Sequence, residues 1–107
     1  MVGFLSKYRD RLEIIRDILL VVSNSEGARK THIMYGANLG YKILVRYLDE
    51  LLKLGMLGCE DGSCYRLGEK GERFLRLYEE YEKRNKDLEE QLSQLEKERK
   101  FLMRVLT

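Results

Sequence analysis

The chain has 107 residues, enough for one domain, or a small domain with an appendage, but not for two separately folded domains. Charged residues make up 36% and hydrophobic ones 44%, the balance of a mostly helical protein with long solvated faces rather than of a disordered chain or a membrane protein. Twenty Lys and Arg against eighteen Asp and Glu leave a net charge of +2, but residues 1–78 hold 13 basic and 10 acidic groups (+3), while residues 79–107 hold 7 and 8 (−1).

The longest apolar run, Ile18 to Val22, is far short of the roughly 18 residues a membrane-spanning helix needs. Lys7, Arg9, Asp10 and Arg11 follow no apolar stretch of signal-peptide type. A cytoplasmic protein with no membrane partner is expected. Cys59, Cys64 and His32 cannot by themselves fill a four-ligand zinc site, so neither a metal nor a cofactor is expected. Without a phosphate-binding Gly-rich motif or a nucleophile set among His and carboxylates, the chain shows no sign of an enzyme or of a small-molecule site.

In chain order, Tyr8, Leu12, Ile15, Ile18, Leu19 and Val22 recur at three- and four-residue spacing and predict a first helix over about 6–23. The polar stretch 23–27 ends it. Thr31 is the expected N-cap of a short second helix over about 32–37, with Ile33 and Met34 inward. After Asn38-Leu39-Gly40 a third helix is predicted over about 41–54. Its buried face is Tyr41, Leu44, Leu48, Leu51 and Leu52, and Gly55 is its stop. Asp61-Gly62 between short apolar runs then predicts a two-stranded hairpin within residues 56–67. Past Gly68, the accumulation of Glu, Lys, Arg, Leu and Gln predicts one long helix over about 69–105. Helix, helix, turn, helix, hairpin, helix is a winged helix-turn-helix.

Alternating steps of four and three from Phe74 land on Tyr78, Tyr81, Asn85, Leu88, Leu92, Leu95, Arg99, Leu102 and Leu106. A lone helix would leave this stripe in water, whereas a second copy would bury it along about 50 Å at 1.5 Å per residue. The expectation is a domain at 1–75 and a coiled-coil dimerisation helix at 76–107, giving a homodimer. Phe74 to Tyr81 has the alternative of packing on its own domain. Asn85 and Arg99 are polar seam positions of the kind that set register.

The stretch KTHIMYGANLGYKILVRYLDELLKLGML, residues 30–57, and YRLGEKGERFL, residues 65–75, closely resemble an archaeal winged-helix DNA-binding family. With its heptad tail the chain is similar to the small crenarchaeal chromatin-associated DNA-binding proteins of the ten-kilodalton "a" class. The resemblance implies a homodimer with an antiparallel coiled coil that binds double-stranded DNA, either as chromosome architecture or in transcription regulation. Gly40 and Gly68 stand where that pattern usually has Ser and Thr, and each removes a hydroxyl N-cap.

In a helix-turn-helix the second helix enters the major groove, with neighbouring cations on phosphates. The residues this selects are Lys42, Arg46 and Lys53 on the third helix, Arg29 and Lys30 just before the second, Arg66 on the wing, and His32, each against the alternative of ordinary solvated surface. Asp49 and Glu50 on the same outer face restrict contact to the first two turns. The wheel places Tyr41 and Tyr47 toward or beside the core. If Asp61-Gly62 is a two-residue turn, Cys59 faces Cys64, leaving either a bridge or two reduced thiols. The resemblance points to a hyperthermophile, where intracellular disulfides do occur. The class opposed to DNA binding is a winged-helix protein-interaction module that assembles through its coiled coil.

Overall fold

Asp10 starts the first helix: its side chain accepts from the Glu13 amide at 2.9 Å, and Glu13 accepts in return from the Asp10 amide at 3.4 Å, a reciprocal capping box. In the computed structural model, which describes residues 9–107, this helix is α1 (Arg11–Ser23). It begins later than the apolar period predicts, because Asp10 is extended at φ −82° and ψ 178°. Residues 6–8, and with them Tyr8, lie outside the described part of the chain.

Next come α2 (Lys30–Gly36), α3 (Tyr41–Lys53), the strands β1 (Leu57–Cys59) and β2 (Tyr65–Leu67), and α4 (Glu69–Val105). Thr31 does not cap α2. The helix starts two residues earlier because Ala28 forms a two-way bridge with Tyr65, its amide 2.9 Å from the Tyr65 carbonyl and its carbonyl 2.8 Å from the Tyr65 amide. That bridge holds the chain extended through Arg29, which takes the cap position without a side-chain bond.

α2 and α3 both end in the same hydrogen-bond pattern. Asn38 and Leu39 donate back to Tyr35 and Met34, and Gly55 and Met56 donate back to Leu52 and Leu51, closing each helix with a left-handed residue. Those residues are Asn38 at φ +53° and Gly55 at φ +78°. Arg9 locks the first of these turns from outside. Its guanidinium donates to the Ala37 carbonyl at 2.6 Å and the Asn38 carbonyl at 2.7 Å while pairing with Asp17 at 2.8 Å. It thereby satisfies carbonyls at the end of α2 that have no helical partner.

The core sits where these elements meet: Ile15, Ile18, Leu19 and Val22 of α1, Ile33 of α2, Leu44, Leu48 and Leu51 of α3, with Ala28, Ala37, Leu57 and Tyr65. Leu12 and Tyr41 do not join it, at 46% and 58% exposed. Each stands in the first turn of its helix.

The wing pairs Leu57 with Leu67, Gly58 with Arg66 and Cys59 with Tyr65. The two-residue turn is therefore replaced by a longer loop, because the Asp61 carboxylate takes the amides of Ser63 and Cys64, both at 3.0 Å, and Gly62 turns at φ +78°. Cys59 faces Tyr65, not Cys64, and both thiols are free. Cys64 instead lies against Gly27, where an added Cβ would come 2.9 Å from its sulfur.

The long helix α4 runs 37 residues from Glu69 to Val105 and gives the molecule its 69 Å length. Its first turns belong to the domain: Phe74 packs on the core, and Tyr78, only 8% exposed, is covered by α1. The Arg16 guanidinium lies 5.3 Å over the Tyr78 ring and 3.8 Å from Glu82. Tyr78, one of the expected dimer-seam residues, is thus buried within its own chain.

Candidate nucleic-acid interface

The turn at residues 37–40, gripped by Arg9, sets α3 against α2, and the core face of α3 fixes which residues point outward. Opposite Leu44, Leu48 and Leu51 lie Lys42 and Arg46, both exposed, and among the described residues neither forms an ion pair. Lys53 is exposed too, but pairs with Asp49 at 3.1 Å one turn back. Glu50 is drawn aside into an ion pair with Arg11 of α1. The two carboxylates predicted to repel phosphate are therefore both matched by cations, and the uncompensated positive charge of α3 lies in its first two turns.

The start of α2 joins the same region. Arg29 and His32 are exposed and Lys30 is half-buried. Burial pushes the Tyr65 hydroxyl above its ordinary range, partly offset by the Lys30 ammonium, with Cys59 and Tyr41 as its other neighbours. Lys30, Tyr41 and Tyr65 thus mark the corner where α2, α3 and the wing meet. Tyr47 packs against the core as the wheel indicates. Tyr41 does not, and adds an exposed aromatic at the head of α3.

Arg66 is placed differently. Adjacent strand residues face opposite ways, so with Tyr65 turned inward Arg66 is exposed on the other side, in a cleft with Ser23, Ser25, Glu72 and Arg76 between the end of α1 and α4. It is apart from the Lys42 and Arg46 face.

Two features escaped the sequence. The grip of Arg9 on the turn spans 28 and 29 residues, and no local pattern announces it. Ile43 is 42% exposed beside Lys42, and its position on the helical wheel, at the edge of the polar face, was the only available signal.

Along α4 the stripe beyond the domain is open: Tyr81 is 56% exposed, Leu88 63%, Leu95 60% and Leu106 80%. Leu92 and Leu102 are exposed on the same seam, with Asn85 between Tyr81 and Leu88 and Arg99 between Leu95 and Leu102. Among the described residues no group of His, Cys, Asp and Glu could hold a metal ion, and no helix is long and apolar enough to cross a membrane.

Residues 8–86 match the model of the winged helix-turn-helix family. An uncharacterized protein of Methanocaldococcus jannaschii is 43% identical over 72 residues, which make up 67% of this chain and 33% of that protein. The chain thus spans about a third of that relative's length. Among solved structures, Sso10a-2, a DNA-binding protein from Sulfolobus solfataricus, superposes with a TM-score of 0.68 at 32% identity, covering 81% of this chain and 96% of that one. The helix-turn-helix, the two-stranded wing, the family match and this superposition together place the chain in the winged helix-turn-helix family, in its archaeal class.

Proposed function

We propose that the protein is a homodimeric double-stranded DNA-binding protein, acting on the chromosome within the cytoplasm as an architectural protein or a regulator. It would hold the duplex with the first two turns of α3, with Arg29, Lys30 and His32 at the start of α2, and with the wing. The single observation that carries this is the charge arrangement on α3: among the described residues Lys42 and Arg46 stand unpaired while Asp49 and Glu50 are each matched by a cation. Phosphate contact and its counterion release need cations free in this way. The DNA-binding character of Sso10a-2 supports the same reading.

Residues 1–75 form the DNA-binding unit and residues 76–107 the dimerisation helix. The exposed seam of Leu88, Leu92, Leu95, Leu102 and Leu106 supports pairing with a second copy, and Tyr81, Asn85 and Arg99 complete the seam. Charge polarity supports the antiparallel orientation. Residues 79–90 carry six acidic and three basic groups, and residues 91–107 carry four basic and two acidic. Antiparallel packing sets these opposite halves together, and also keeps Arg99 from facing its own copy.

The test is a titration of labelled duplex by fluorescence anisotropy at fixed, physiological salt. Binding is expected at micromolar affinity or tighter, and Lys42→Glu with Arg46→Glu should weaken it by tenfold or more, roughly 1.4 kcal/mol per tenfold. Unchanged affinity in that variant overturns the assigned face. No binding by the native protein even at low salt overturns the function and favours an interaction module.

A further inference from the structure

The outer face of α3 carries one apolar side chain among its charges. Ile43 is 42% exposed while its neighbour Leu44 is fully buried, so Ile43 does not serve the core. At 3.6 residues per turn it lies about 60° around the helix from Arg46 and about 100° from Lys42. Scattered exposed apolar residues are ordinary on a protein surface. This one borders the two cations of α3 that have no partner among the described residues, beside Arg46 at i+3, on a stretch whose carboxylates are matched by Arg11 and Lys53. A polyanion held by Lys42 and Arg46 therefore has Ile43 along its flank, next to Arg46. The side chain is β-branched, which restricts its χ1 rotamers and presents its methyl groups in a defined direction.

We propose that Ile43 reads the 5-methyl group of thymine in the major groove, so that the protein favours thymine-bearing sequence over the same sequence without the methyl. This rests on the reading of α3 as the DNA-contacting helix. α3 has no Asn or Gln with which to hydrogen-bond an adenine edge, and the thymine methyl is the one apolar feature the major groove offers. Recognition of A·T pairs through this helix is therefore apolar, superimposed on phosphate attraction that carries no sequence information. Taking one methyl out of water at about 0.8 kcal/mol corresponds to a three- to fourfold change in affinity.

The experiment compares a short A·T-rich duplex with the same duplex carrying deoxyuridine for every thymidine, by anisotropy at one salt concentration. The native protein is expected to bind the thymine duplex three- to fourfold more tightly for each methyl contacted. Ile43→Ser should bind both duplexes alike, with the native dependence of affinity on salt. Ile43→Val, which keeps the branched methyls, should retain the discrimination. Equal binding of the two duplexes by the native protein overturns this assignment alone, as does discrimination that survives in Ile43→Ser. Absence of binding to either duplex at low salt overturns the DNA-binding reading and this assignment with it.

Discussion

Gly40 and Gly68 occupy the same position in two helices, the N-cap, and neither supplies a side-chain bond. The capping rule alone predicts that a hydroxyl at either site strengthens its helix. Their surroundings separate them. A Cβ on Gly40 meets nothing within 4 Å, and its backbone at φ −72° and ψ 156° suits any residue. Gly40→Ser should stabilise the fold by about 0.5–1 kcal/mol, through a new cap and a less flexible unfolded chain. A Cβ on Gly68 would come 2.5 Å from the Gly55 carbonyl oxygen, in the turn that joins α3 to β1. Gly68→Thr and Gly68→Ala should therefore destabilise by about 1–3 kcal/mol, the range of overpacking. Urea denaturation of the variants checks the pair, and stabilisation by Gly68→Thr would show that the turn yields. Sequence could show both glycines as lost caps. It could not show that α4 starts against the backbone of another turn, because that contact joins residues 13 apart through the wing.

Among the elements, α3, the wing and α4 show what was legible. The bounds of α4 match their prediction, because composition and the lack of breakers act locally along a helix. α3 ends where Gly55 predicts, yet its first residue, Tyr41, escaped the wheel: periodicity assigns a face, and only packing decides how far along the helix that face is covered. The wing failed at its register for a chemical reason. The loop is organised by one carboxylate accepting from Ser63 and then Cys64, and these bonds hold Asp61 below the ordinary carboxylate range. A depressed pKa means that the stabilising bond is present above the unfolded value and is lost as pH falls through the lower folded one. The Ser63 and Cys64 amides should stay protected from exchange at pH values where a free aspartate is half protonated, and lose protection only in stronger acid. Asp61→Ala should lose that protection at every pH. Amide exchange followed by NMR checks both, and native protection lost already in step with a free aspartate would refute the role of the turn.

For the whole molecule, the candidate site was partly legible. Lys42 and Arg46 follow from the helical wheel. That Arg66 lies instead in a cleft facing α4, and that Arg11 draws Glu50 aside, depend on tertiary contacts with no sequence signature. The exposed seam makes a direct prediction. The native protein is expected to sediment as the proposed dimer, and Leu88→Glu with Leu95→Glu, at sites 63% and 60% exposed, should leave the winged domain folded and sediment as a monomer, each measured at sedimentation equilibrium. A dimer that survives would place the interface elsewhere. Net charge of +2 says little about DNA until it is resolved into cations with and without partners, and the central claim is that two such unpartnered cations on α3 meet phosphate. The most direct test is the slope of log affinity against log salt for the native protein and for Lys42→Ala with Arg46→Ala. Each phosphate contact contributes about one unit to that slope, so the variant should be shallower by about two units if one winged domain engages the duplex and about four if both do. Equal slopes for the two proteins would contradict the claim.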